Sequence, residues 1–371
     1  MQPRKKALVA AASGTAIGLA GLAFVAMPAG AGEAPPELPA VSAEDLVQSV
    51  LTADAPALRG TVTVSEQLGL PAGLPGVGAL DLDEARVFND GNGKTRLAIK
   101  QGGTENTVVH DGATVWSYNS ADNTATKVTL PQGTEGTAKH DGVTENGQLT
   151  DPTAAAGQML QAVREFSTVT VDGTARVADR PAYELVLTPK PDERTLLREI
   201  RVAVDSETRL PLRLEVLTNG TTEPALEVGF SEFAVEQQPA DLFTFTPPAG
   251  AKVEEVTPEA KPEDQAEAGK VKDAIDPQVV GTGWDSVVTG RVPADVLAGG
   301  QLPSELPEGK DGREPLNVQA LLGQIAKPVS GPFGTGHVIT TKVGTALLTD
   351  DGRFAAGAVP EQVLTEALGT K

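Results

Sequence analysis

Hydrophobic residues recur at two spacings along this chain, and each spacing predicts one kind of element. After Ser42 the apolar residues follow at helical intervals with an acid three positions on, which predicts a capped helix over 42–53. From Leu58 onward apolar and polar residues alternate, as in strands with one buried face. The strands predicted in the first half are 58–68, 83–89, 94–101, 105–110, 113–119 and 124–130.

A second run of alternating segments follows a helix that is predicted over 152–166, where Asp151 caps the helix and Pro152 suits its first turn. Gly, Asn and Asp fill the short separators between strands, because hairpin turns need the positive φ that these residues tolerate. Connections this short predict antiparallel neighbours. The strands predicted in this run are 168–179, 181–189, 195–205, 210–218, 224–235 and 241–248.

The remaining segments lack a sustained strand pattern. Residues 69–80 are apolar but interrupted by Gly and Pro, which favours a flap, and the polar residues 131–150 are typical of a loop. The acidic stretch 251–276 is interpreted as a solvated linker or an exposed helix. Residues 277–371 are predicted to form a small C-terminal α+β domain or an extension of the first sheet. Its predicted elements are a helix over 316–329, strands within 337–359 and a helix over 360–368.

The N-terminus has the parts of an export signal, with basic residues at 4–6, an apolar run to Ala26 and small residues before position 32. We expect a signal peptide over 1–31 and a Pro-rich spacer over 32–41. An uncleaved membrane anchor is the alternative, since about 20 apolar residues span a bilayer. Either form places the protein outside the cytoplasm, secreted or in the cell envelope.

The net charge and the cysteine content exclude several kinds of partner and site. The formal net charge is −20, which repels phosphate backbones, so we expect no nucleic-acid partner. The chain contains no cysteine. This excludes a lipid-modified N-terminus, disulfide bonds and thiolate metal sites.

A search for catalytic motifs finds none that predicts an enzyme. The three histidines, His110, His140 and His337, lie far apart in sequence and are typical of surface or loop positions. The Gly-Lys-Thr at 93–95 lacks the preceding glycine of a phosphate loop and lies between two predicted strands. We therefore predict no catalytic residues, no metal site and no cofactor.

The aromatic pair Trp116 and Tyr118 lies on one face of a predicted strand, in a chain with only 4% aromatic residues. Such a pair either packs against a neighbouring element or contacts a ligand. The residues alone leave both interpretations open.

Three motifs in order give the chain a resemblance to a known family. An Asp-Gly turn precedes a Trp-x-Tyr strand in 111–130, a Val-Asp turn and Leu-Pro join two strands in 200–216, and Phe-x-Phe precedes proline in 241–250. In these features the chain resembles the LolA-like superfamily, including its RseB-type members, over roughly 42–250. Two positions depart from the pattern, because Arg209 stands where glycine is usual and Ser120 where proline is frequent.

This resemblance implies a mainly antiparallel half-open β-barrel over 42–250, with helices covering its concave face, joined by the 251–276 linker to the C-terminal segment. It also implies an exported, non-enzymatic protein that holds a lipid or lipoprotein acyl chain. The alternative is an envelope-stress regulator whose partner is a membrane protein such as an anti-sigma factor. The residues expected to line the cavity are Trp116, Tyr118, Tyr183, Leu185, Leu187, Leu212, Leu214 and Val216.

Overall fold

The computed structural model describes residues 35–69, 82, 84–130, 163–256, 275–292, 323 and 325–369. The predicted signal peptide, flap and polar loop, and most of the helices predicted over 152–166 and 316–329, lie outside these residues. The described part consists mostly of antiparallel sheet with few helices, as predicted, and neither sheet closes on itself into a barrel. The domain boundaries themselves stay predictions.

The first sheet has 12 strands in the described part of the chain, in the order β12-β6-β5-β4-β3-β2-β1-β11-β10-β9-β8-β7. Neighbouring strands pair antiparallel except at one edge, where β12 runs parallel to β6. The strands are β1 (Ala57–Glu66), β2 (Glu84–Asp90), β3 (Thr95–Gln101), β4 (Thr104–His110), β5 (Thr114–Asn119), β6 (Thr124–Thr129), β7 (Ser167–Val177), β8 (Arg180–Pro189), β9 (Leu197–Asp205), β10 (Pro211–Thr218), β11 (Leu226–Val235) and β12 (Lys252–Val256).

The hairpin turns fall where the sequence predicts them. Between β3 and β4, Gly102 and Gly103 both have a positive φ, +56° and +83°, and residues with a Cβ rarely adopt such values. Glycine is also required by close packing at Gly60, because the Phe230 ring lies where a Cβ would stand. The predicted strands from 58 to 235 are therefore confirmed to within a few residues.

Two predictions for the end of this sheet are wrong. Residues 241–248 do not form a strand; a 3₁₀ helix covers Ala240–Phe243 and irregular chain follows it. Pro239 precedes this stretch, Pro247 and Pro248 end it, and all three lack the N–H that a ladder needs. Five residues of the predicted linker form β12 instead, an exposed edge strand.

The second sheet has six strands in the described part of the chain, in the order β13-β14-β18-β17-β16-β15. Helix α2 (Glu361–Gly369) covers one face of this sheet, and Leu364 and Leu347 lie in the core between them. The last residues of the helix predicted over 316–329 belong to β15 instead. The strands are β13 (Gln278–Val280), β14 (Val287–Arg291), β15 (Lys327–Gly331), β16 (Gly334–Thr340), β17 (Thr345–Thr349) and β18 (Arg353–Gly357).

Helix α1 (Ala43–Thr52) confirms the predicted N-terminal helix and its cap. The Ser42 Oγ accepts a hydrogen bond of 3.0 Å from the Asp45 backbone N–H. Replacing Ser42 with Ala should lower the free energy of unfolding by about 1 kcal/mol, because one N–H of the first turn loses its acceptor. Urea unfolding measures this change, and Ser42→Thr, which keeps the capping hydroxyl, should be nearly neutral.

Candidate functional site

An apolar surface lies on the sheet face against which α1 packs, and we call this face the α1 face. Leu46 of α1 is fully buried against Tyr183, Leu185 and Leu187 of β8 and the paired residues of β9. Directly paired residues of an antiparallel sheet share a face. The registers therefore extend this face across neighbouring strands in one row of apolar residues: Leu185, Val202, Leu214, Val228 and Val64.

We call these five residues the apolar row. Leu185 is buried under α1, whereas Val202, Leu214, Val228 and Val64 are only half-buried. The row crosses β8, β9, β10, β11 and β1, and strands lie about 4.8 Å apart, so it is about 19 Å long. The α1 face thus carries a continuous apolar strip beyond the edge of the helix.

The structure brings together five of the eight residues predicted to line a cavity. These five belong to one apolar cluster around Leu46: Tyr183, Leu185, Leu187, Leu214 and Val216. Leu212 follows the same alternation in sequence, but an irregularity in the β9–β10 register between Pro211 and Arg213 disturbs that alternation. Leu212 packs instead in a second cluster with Val62 and Phe230.

Trp116 and Tyr118 lie on the opposite face of the sheet. The register pairs Tyr118 with Thr107, and further pairings lead across β3 and β2 to Thr61 of β1. Thr61 lies three residues before Val64 of the apolar row, and strand residues an odd number apart point to opposite faces. Both rings contact Phe245, with ring centroids 5.4 Å and 5.9 Å from the phenyl ring. The pair thus packs against the segment after the 3₁₀ helix, whereas the five residues above remain candidate ligand contacts.

The turn between β9 and β10 carries two arginine contacts that the sequence did not predict. Arg180 forms a two-pronged ion pair with Asp205, at 2.6 and 2.9 Å, and the Asp205 side chain is fully buried. Burial by itself would raise the pKa of Asp205, but hydrogen bonds from Arg180 and Thr208 outweigh it and hold the pKa below its usual value. The Arg209 guanidinium lies over the Tyr183 ring, 5.3 Å from its centroid.

The connection between β13 and β14 of the second sheet contributes a tryptophan to the α1 face. Trp284 packs against the cluster around Leu46, and its indole N–H donates to the Ser167 Oγ at 2.7 Å. The Glu193 carboxylate accepts from the backbone N–H groups of Trp284 and Asp285. Burial raises the pKa of Glu193 despite these two donors. No sequence pattern pointed to these contacts, since Trp284 and Ser167 lie 117 residues apart.

The opposite face carries a shallow hollow of about 460 Å³ over β2 and β3. Its walls mix positive and negative side chains: Arg86, Arg96 and Lys100 with Glu84, Glu105 and Asp241. Glu84 already pairs with Arg86, and Arg96 donates to the Leu242 carbonyl at 3.2 Å. The three positive and three negative side chains leave the hollow without a net charge that would select an ionic ligand.

The described residues contain no group of three or more histidine, aspartate or glutamate side chains placed to hold a metal ion. His110 ends β4 and His337 lies in β16, so they belong to different sheets, whereas His140 lies outside the described residues. No helix in the same part of the chain is long and apolar enough to span a bilayer.

A family profile matches part of this chain. Residues 92–249 match the sequence profile of the MucB/RseB N-terminal domain, which confirms the LolA/RseB-like resemblance over that stretch. The match covers less than half of the chain. The sequence matches no curated protein.

Solved structures with similarity to this chain have low sequence identity. The MucA/MucB complex of Pseudomonas aeruginosa is 15% identical, with a TM-score of 0.40 over 88% of this chain and 96% of that chain. A LolA superfamily protein from Nitrosomonas europaea is 14% identical, with a TM-score of 0.23 over 56% of this chain and 99% of that chain. An uncharacterized conserved protein from Thermus thermophilus is 15% identical, with a TM-score of 0.33 over 58% of this chain and 99% of that chain.

Proposed function

We propose that this protein is an exported, non-enzymatic binding protein that holds the acyl chain of a lipid or lipoprotein on the α1 face. The apolar row is the observation that carries this proposal. Its four half-buried residues are apolar side chains on a strip about 19 Å long, next to a helix that already covers one end. The match of residues 92–249 to the MucB/RseB domain supports a binding protein over an enzyme.

The energetics of such binding are favourable. Each buried methylene contributes about 0.8 kcal/mol, so a dozen methylenes contribute roughly 10 kcal/mol before association costs. Those costs are of the order of 4–15 kcal/mol and are lowest when neither side has to be ordered on binding. A rigid sheet loses little freedom on binding, which favours useful affinity.

A proposal about the shape of the first sheet accompanies this proposed function. We propose that the 12-stranded sheet bends into a half-open barrel whose concave side is the α1 face. The docking of Leu46 on β8 supports a helix cover on that side. An apolar concave side needs a cover, either a helix or a hydrocarbon chain, because a large exposed apolar patch is unfavourable in water.

Tryptophan fluorescence tests acyl binding directly, since the chain has two tryptophans and they lie on opposite faces. In a Trp116→Leu background, Trp284 becomes the sole emitter and reports on the α1 face. Titration with hexadecanol should then change its emission saturably. Adding Leu214→Gln should weaken binding about tenfold or more, because an uncompensated amide would lie beneath the chain.

The Trp116→Leu substitution is also the matched control, because it changes an aromatic residue on the other face. Its affinity for hexadecanol, measured by calorimetry, should equal that of the unchanged protein. Equal affinities with and without Leu214→Gln would contradict a site on the apolar row. Native mass spectrometry of protein purified from its own cells should show a co-purified lipid, and absence of both signals would end the carrier proposal.

A regulator of a membrane-bound anti-sigma factor is the second candidate function. The profile match of residues 92–249 to the MucB/RseB domain favours it. Crosslinking in cells followed by capture of this protein distinguishes the candidates. Recovery of one single-span membrane protein would support the regulator, whereas recovery of lipid alone would support the carrier.

A further inference from the structure

Arg209 occupies a backbone position that does not favour arginine. Its φ is +62°, in the left-handed region where glycine is the usual residue, and it ends the turn between β9 and β10. A residue with a Cβ is strained there. Strained residues of this kind concentrate at functional sites, where the surrounding structure holds them.

The side chain of Arg209 stacks on an aromatic ring but lacks an acidic partner. Its guanidinium lies 5.3 Å from the centroid of the Tyr183 ring, while Tyr183 is fixed by its hydroxyl donating to the Pro39 carbonyl at 3.0 Å. The Arg209 Nη1 is buried, and no acceptor in the described structure lies within hydrogen-bonding distance of it. Buried donors of charged groups are normally paired.

The neighbouring arginine, Arg180, has carboxylate partners for its charge. Arg180 binds Asp205 through two hydrogen bonds and Glu207 through a third, so two carboxylates offset its charge. No described carboxylate lies within ion-pair distance of Arg209, although the chain as a whole is strongly acidic. The buried Nη1 of Arg209 is therefore an unsatisfied donor, which an external anion would pair on binding at this turn.

Tyr183 connects this free cation to the apolar row. It precedes Leu185 by two residues on β8, so both side chains point to the α1 face about 7 Å apart. A ligand that places its chain on the half-buried part of the row, from Val202 toward Val64, would therefore direct its polar end toward Tyr183 and Arg209.

We propose that Arg209 binds the oxyanion headgroup, carboxylate or phosphate, of an acidic lipid whose hydrocarbon chain lies on the apolar row. This assignment rests on the proposed acyl-chain function and narrows the ligand to acidic amphiphiles. The planar guanidinium suits both oxyanions, because it donates two parallel hydrogen bonds while its face stays on Tyr183.

The test compares three probes with the same chain length: hexadecanoate, hexadecyl phosphate and hexadecanol. The unchanged protein should bind at least one anionic probe about tenfold or more tightly than the alcohol, because a hydrogen bond to a charged group contributes more than one to a neutral group. A stronger preference for one anion identifies carboxylate or phosphate as the source of the oxyanion.

Arg209→Gly is the informative variant, because glycine fits φ +62° and the protein should fold with an unchanged or higher Tm. It should lose the preference for anions while its affinity for hexadecanol stays within about twofold. Arg201→Gln is the charge-matched control, since Arg201 lies on the other face of β9 and pairs with Glu199. This control should keep the preference.

Three outcomes would overturn the assignment. Arg209→Gly with its preference for anions intact, or binding of hexadecanol without any preference in the unchanged protein, would remove Arg209 as the headgroup site and leave the acyl-chain function standing. A protein that binds none of the three probes would overturn both proposals.

Discussion

Replacing Asp205 with Asn should lower the free energy of unfolding by about 3–5 kcal/mol, the loss found when one partner of a buried ion pair is removed. The Asp205 side chain is fully buried and accepts from Arg180, from the Thr208 hydroxyl at 2.8 Å and from the Thr208 backbone N–H at 2.7 Å. An asparagine leaves the Arg180 charge without its buried counterion. Urea unfolding monitored by circular dichroism measures the change.

Glu207→Gln is the matched control, because Glu207 pairs with the same arginine from an exposed position, with 74% of its side chain accessible. It should cost less than about 1 kcal/mol. Similar losses for the two variants would show that burial of Asp205 does not govern the strength of the pair.

The same pair makes a prediction about pH. The folded-state pKa of Asp205 is below its usual value, so its ionised form is favoured by folding. This contribution is fully present above the unfolded-state pKa of about 3.9 and is lost as pH falls through the lower folded-state pKa. Between about pH 5 and pH 2 the unchanged protein should lose more stability than Asp205→Asn, and parallel curves would contradict the assignment.

Leu46→Ala should destabilise the protein by about 2–5 kcal/mol. Leu46 is fully buried between α1 and the β8 residues Tyr183 and Leu185, so the shorter side chain leaves a cavity under the helix. The expected result is a lower urea midpoint together with faster hydrogen exchange in α1. Gln48→Ala, a change on the same helix outside this cluster, should stay within about 0.5 kcal/mol.

A loss below about 1 kcal/mol for Leu46→Ala would mean that α1 is not docked on the sheet, and the proposed cover of the concave side would fail with it. Leu364→Ala provides the comparison in the second sheet, where Leu364 of α2 is equally buried. Calorimetry of the two variants shows whether each substitution lowers the transition of its own sheet or of both.

Local patterns identified most elements correctly because the forces that set them are local. Alternation marks a strand with one buried face, and residues that tolerate positive φ mark its ends, as Gly102 and Gly103 do between β3 and β4. The cap of α1 was equally readable, since Ser42 and Asp45 are three residues apart. The prediction failed at 241–248, where proline removes ladder donors and the Phe245 ring packs on Trp116.

The candidate site shows the limit of the same reasoning. Alternation placed Leu212 with Leu214, but a register irregularity one residue long moved it to another cluster. The sequence does not specify which side chains of distant strands share a face of the sheet. It therefore grouped Trp116 with Tyr183, although the two residues lie on opposite faces. Trp284 and the stacking of Arg209 on Tyr183 join residues far apart in the chain, and no local pattern encodes such contacts.

The sequence by itself thus determined the strands, their turns, the N-terminal helix and the family resemblance, because each depends on neighbours within a few residues. The tertiary structure decided which side chains share a face, which cation lacks a partner and where the second sheet meets the first. Those features depend on registers and bulges summed over many strands, and a shift of one residue reverses the face of every side chain that follows.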